Sequence, residues 1–106
     1  MHRFAMYAKV IAKPGQREAV VEHLWEAAHL LTALPGCLLY VINVSPSEPD
    51  TVSVFEAWRS EGDHDASLEL DSVKGLVART KPLVASFEGM RLIPVGGKGL
   101  AVEEGP

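Results

Sequence analysis

The run Thr51–Arg59 constrains this chain more than any other stretch. Its apolar and polar residues alternate with a period of two, which reads as a strand. Val52, Val54, Glu56 and Trp58 share one face, and Ser53, Phe55, Ala57 and Arg59 share the other. Neither face is wholly polar, and a strand of that kind has to be covered on both sides. Ser60-Glu61-Gly62-Asp63-His64 then breaks the alternation and opens a helix-forming tract. A carboxylate, an indole and an imidazole therefore fall within the short span from Glu56 to His64.

The remaining segments supply the covering. Residues 3–12 alternate as a first strand, with Phe4, Met6, Ala8, Val10 and Ala12 on one side, ended by Lys13-Pro14-Gly15-Gln16. Arg17–Leu34 is the clearest helix: Val20, Leu24, Ala27, Leu31 and Leu34 recur at helical spacing, with Glu18, Glu22 and Glu26 opposite. Pro35-Gly36 stops it. Cys37–Val44 reads as a second strand, joined to Thr51–Arg59 by a polar turn containing two prolines. Asp63 is the expected cap of a short helix running through Leu68-Glu69-Leu70. Asp71 or Ser72 would cap another over Val73–Ala85, which Pro82 should kink or shorten near Lys81. Phe87–Val95 completes the set as a fourth strand, with Pro94 marking an edge or an end.

The order β-α-β-β-α-β, with its second helical region in two pieces, predicts an α+β ferredoxin-like fold: an antiparallel sheet with helices on one face. Residues 1–95 form a single domain on this reading, and residues 96–106 a flexible or partner-contacting tail. Apolar residues on the uncovered face predict a homodimer packed sheet to sheet. An interface of standard size would bury ~800 Å² per partner.

Composition narrows the function. The 106 residues are 47% hydrophobic, with a formal net charge of −4 and no basic block, so nucleic acid is not an expected partner. Cys37 is the only cysteine, which rules out a disulfide within the chain and fits a reducing compartment. The N-terminal residues lack the pattern of a signal peptide, and no apolar run reaches the ~20 residues that span a bilayer, so no membrane association is expected and a cytoplasmic location is.

Pro35-Gly36-Cys37-Leu38-Leu39-Tyr40, then Phe55-Glu56-Ala57-Trp58-Arg59-Ser60, His64-Asp65-Ala66-Ser67-Leu68 and Lys81-Pro82-Leu83 together resemble the antibiotic biosynthesis monooxygenase (ABM) family. The small quinol-monooxygenase-like members are the best match. The resemblance spans roughly residues 3–95 and implies a dimeric α+β barrel. For some members it also implies oxidation of quinols or polyphenols by O₂ without metal, haem or flavin, so the expected cofactor complement is none. Other members degrade haem. The functional Asn, Trp and His of that branch align with Ala8, Ser67 and Val77, and none is retained, so haem degradation is disfavoured.

Chemistry at these positions can be weighed residue by residue. His64 is the best general base, since neutral imidazole can accept a phenolic proton near neutral pH; the plainer reading is a surface histidine at a helix start. Asp63 and Asp65 flank it, but helix neighbours point apart. Glu56 could hold a substrate hydroxyl, or simply pair with Arg59 or Arg91. Trp58 could orient an aromatic ring, or be core. Tyr40, Asn43 and Tyr7 are candidate pocket residues, with Tyr40 and Asn43 on opposite faces of their strand. No metal site is expected: His23 and His29 diverge around their helix. Cys37 reads as a small buried hydrophobe. The leading expectation is a cofactor-independent monooxygenase acting on a small aromatic substrate with O₂. The alternative is a non-catalytic dimer, aromatic-ligand-binding or stress-responsive, with the same pocket.

Overall fold

Alternation sets the four strands, and the helices lie where the period changes. The computed structural model describes residues 2–99, so residues 100–106 of the expected tail lie outside the described residues. The elements run β1 (Phe4–Ala12), α1 (Arg17–Leu31), β2 (Cys37–Val44), β3 (Thr51–Trp58), α2 (Glu61–Ser67), α3 (Asp71–Thr80), a 3₁₀ turn (Lys81–Leu83) and β4 (Val84–Leu92). The strands form one antiparallel sheet in the order β2-β3-β1-β4, the ferredoxin-like arrangement. Gly15, at φ 79°, makes the turn between β1 and α1 in a conformation that side chains avoid.

Several boundaries differ from those read in the sequence. The first helix ends at Leu31, not Leu34. Its last turn tightens, with Ala33 N–H donating to Leu30 O and Leu34 N–H to Leu31 O. Pro35 disfavours helical backbone at Leu34, yet Leu34 still packs on the core that the apolar spacing pointed to. Ser60, not Asp63, caps α2: its hydroxyl accepts from Asp63 N–H at 3.1 Å, so the helix starts earlier and includes Gly62. Helix α3 begins at Asp71, behind Leu70, and stops at Thr80. Pro82 then sits in the 3₁₀ turn, where its missing N–H costs nothing, and β4 starts at Val84 instead of Phe87.

One sheet face packs on the helices through two clusters. Phe4, Leu31 and Trp58 form one; Val10, Ala12, Val20 and Val52 form the other. Among the described residues Trp58, Val20 and Val52 are the largest side chains buried completely, and each valine contributes about 1.5–3 kcal/mol by burial. The row between the clusters runs Ile42, Val54, Ala8, Gly89 across the sheet. Ala8 lowers the floor there, the Met6 side chain lies over Gly89, and the helices do not fill the space above.

Among the described residues the other face carries no helix. Two of its rows are apolar: Leu39, Ala57, Ala5, Leu92 and Val41, Phe55, Tyr7, Met90. Asn43, Ser53, Lys9 and Glu88 make a polar row beside them. Among the described residues, no helix is long and apolar enough to cross a membrane.

Candidate active site

The space between sheet and helices is a cavity of about 580 Å³ with mostly apolar walls. Its exposed lining residues are Leu68, Val77, Lys81, Phe87 and Arg91. The polar groups at one end come from β2, β3 and α2.

Glu56 and Trp58 are two apart on β3 and so share the inward face. The Trp58 indole N–H donates to Glu56 Oε1 at 2.8 Å. Tyr40 is the cross-strand partner of Glu56. His64 reaches the same corner because the Ser60 cap fixes the start of α2. Its ring is buried, 4.9 Å from Phe4 and edge-on to Trp58 at 5.6 Å. Gly36 lets α2 approach this closely: a Cβ there would lie 2.8 Å from the Asp63 Cβ.

The histidine tautomer follows from its partners. His64 Nδ1 lies 2.9 Å from Asp65 Oδ1, a carboxylate that can only accept, so Nδ1 carries hydrogen. In the neutral ring Nε2 is then the bare nitrogen. It faces Glu56 Oε1 at 3.7 Å, beyond hydrogen-bonding distance. Helix neighbours point apart on average, yet Asp65 does orient His64 here. Arg91 supports Asp65 from outside at 3.7 Å and donates to Glu61 at 2.6 Å.

Electrostatics favour neutral groups in this corner. Burial raises the Glu56 carboxyl above its usual range, and the indole N–H and His64 oppose that rise. Burial also pushes the Tyr40 phenol upward, with Glu56 adding to the effect, so the phenol keeps its proton and remains a donor. The Cys37 thiol is raised by burial as well, as suits a packing residue and not a nucleophile.

The structure brings His64, Glu56, Trp58 and Tyr40 together on the cavity wall. It does not bring Tyr7 or Asn43 there. Tyr7 is 40% exposed on the helix-free face. Asn43 lies on that face too, its amide donating to the carbonyls of Val41 and Ser53. The surface-histidine reading of His64 fails, because α2 lies against the sheet. Glu56 pairs with neither arginine: Arg59 binds Asp63, and Arg91 binds Glu61. Ala8, Ser67 and Val77, the positions aligned with the haem-degrading branch, all line the cavity. Sequence reasoning missed His23 and Thr80, which also line it and lie 2.9 Å apart. The signal was present, since His23 stands three residues from Val20 and four from Ala27, within the inner stripe. Among the described residues no group of three or more His, Cys, Asp or Glu is placed to hold a metal ion.

The family model for antibiotic biosynthesis monooxygenase matches residues 3–79. The chain belongs to the ABM family. A Chloroflexus aurantiacus protein, provisionally described as an antibiotic biosynthesis monooxygenase, is 39% identical to this ABM chain. The match covers 93% of this chain and 99% of the other, with a TM-score of 0.84. A Caulobacter crescentus protein of the same provisional description is 22% identical over 90% and 92% of the two chains, TM-score 0.84. A protein of Shewanella oneidensis is 24% identical over 88% and 91%, TM-score 0.82. The last two show the shared fold. No curated protein matches the chain. Membership of the ABM family and the Chloroflexus likeness support a monooxygenase-type role in general terms.

Proposed function

We propose that this ABM protein oxidises a quinol or polyphenol with O₂, in the cytoplasm, as a homodimer and without metal, haem or flavin. The observation that carries the reading is a bare imidazole nitrogen, oriented by Asp65 and set beside Glu56, in the wall of an otherwise largely hydrocarbon cavity. A phenol bound there would pass its proton to His64 Nε2. The Asp65 carboxylate stabilises the imidazolium that forms, and Arg91 holds Asp65 in place. Deprotonation makes the ring electron-rich enough to reduce O₂. One oxygen atom then replaces hydrogen at a ring carbon and the other leaves as water. The quinol supplies all four electrons, becoming a hydroxyquinone. Tyr40 stays protonated and can donate to a developing oxyanion, and Trp58 limits where the ring can lie.

Dimerisation is supported by the helix-free sheet face, where Val41, Phe55, Tyr7 and Met90 form an apolar row with nothing over it among the described residues. A second copy would cover both apolar rows at once.

The test is O₂ consumption by metal-stripped protein given a panel of hydroquinones and polyphenols, measured against autoxidation. Saturable uptake is expected, and His64→Ala should lower kcat by ~100-fold or more. Unchanged turnover in that variant would remove His64 as the base. Saturable binding of aromatic ligands with no O₂ uptake would make the protein a binding module and not an oxygenase.

A further inference from the structure

The far end of the cavity holds a second polar pole. Its tautomer can be deduced in the same way as that of His64. Thr80 Oγ1 donates its hydrogen to Leu76 O at 2.8 Å. The hydroxyl has one hydrogen, so towards His23 Nδ1, at 2.9 Å, it can only accept. Nδ1 is therefore the protonated nitrogen of His23, and in the neutral ring Nε2 is bare. Among the described residues no group bonds to Nε2, and no side-chain nitrogen or oxygen is both sealed from solvent and unpartnered. The atom is thus accessible, on a residue that lines the cavity.

The two poles stand apart. His64 packs on Phe4 and Trp58, which belong to one core cluster. His23 lies on α1 between Val20 and Leu24, which belong to or pack against the other. Mostly apolar wall separates them. Lys81 also lines the cavity, next to Thr80, but an ammonium only donates. For a ligand's hydroxyl hydrogen, His23 Nε2 is the one ring nitrogen that can accept at this end, beside the second lone pair of Thr80 Oγ1.

We propose that His23 is a specificity-determining residue. Its Nε2, held bare by the Thr80 hydroxyl, accepts a hydrogen bond from the distal hydroxyl of the ligand. The cavity thereby selects flat aromatic bodies with a hydroxyl at each end over those with one. This rests on the proposed aromatic occupancy of the cavity and names which aromatics it prefers.

The test is equilibrium binding, followed by intrinsic ligand fluorescence, of three probes to the full chain. These are a naphthol, the naphthalenediol whose second hydroxyl lies at the far end of the ring system, and the monomethyl ether of that diol. Wild type should bind the diol about tenfold more tightly than the naphthol, the worth of one added hydrogen bond, and the ether should lose that gain. In His23→Phe the diol-to-naphthol ratio should fall to about one. His23→Gln, whose amide can donate to Thr80 and still present an oxygen, should restore it. Thr80→Val keeps the imidazole but frees its tautomer, and should shrink the ratio. Nitrogen NMR of the wild type should show His23 protonated at Nδ1. Equal binding of diol and naphthol, a ratio that survives His23→Phe, or hydrogen on Nε2 overturns the proposal while leaving the aromatic cavity intact. Failure of every probe to bind overturns both.

Discussion

Glu56 meets two constraints at once: its carboxylate accepts the Trp58 indole proton and faces His64 inside a mostly hydrocarbon cavity. Burial raises its pKa in the folded state, so the native protein holds the proton more firmly than the unfolded chain does. The stability this contributes is fully present below the usual carboxylate range and is lost as pH rises through the elevated folded value. Glutamine cannot ionise but can still accept from the indole. Glu56→Gln should therefore gain stability relative to wild type as pH rises across that window, and urea midpoints at a series of pH values would show it. A difference that stays flat with pH would mean that the Glu56 carboxyl is not raised by folding. At this scale the sequence was half legible. Period-two alternation placed Glu56 and Trp58 on one face and set Tyr40 opposite Asn43. Alternation does not say which face the helices cover, so it does not separate Tyr7 and Asn43 from the site. It also could not show that the Asp65 side chain turns back to His64, because side-chain torsions, not helical spacing, decide that contact.

Helix α2 is the element on which the site depends, and it is only seven residues long. A helix so short has little stability of its own. Three local devices hold it: the Ser60 cap, the Arg59–Asp63 pair at 2.8 Å, and the close approach of Gly36 to Asp63. The ion pair is exposed and adds little. The close approach is the least forgiving, because a Cβ at position 36 meets Asp63 at the root of its side chain. Gly36→Ala should destabilise the fold by ~1–3 kcal/mol, the usual cost of overpacking. On the proposed function it should also lower quinol turnover, as His64 moves from its place. Thermal unfolding measured beside the oxygen assay checks both. An alanine variant as stable as wild type would show that α2 and the β2 start tolerate a wider gap. The Pro35-Gly36 pair was legible as a helix stop. The second role of Gly36, making room for another element, depends on a contact between residues far apart in sequence and is invisible to local pattern.

Across the whole molecule, the ferredoxin-like order was readable because each element announces its own period. The helix-free face was readable too, since alternating strands with apolar residues on both sides cannot all be satisfied by one helical layer. What the pattern did not reveal is the banding of that face, which appears only once register sets Tyr7 beside Phe55 and Lys9 beside Ser53. Phe55→Glu places a charge in the middle of an apolar row. On the dimer proposal it should raise the dimer dissociation constant at least ~30-fold, equivalent to the loss of a hot-spot side chain. Sedimentation of the two proteins at matched concentrations would measure it, and a wild type that sediments as a monomer would end the proposal.

The sheet order has a consequence for how the protein is made. Strand β1 lies inside the sheet, between β3 and β4, and β4 is the last of the described strands. Strand β1 leaves the ribosome ahead of β4 and therefore keeps an open edge until Val84–Leu92 has followed it out. At ~5–20 residues per second that interval is roughly 4–15 s. Throughout it the nascent chain presents a β-rich edge to its neighbours on the polysome, and the sheet closes only once β4 has emerged.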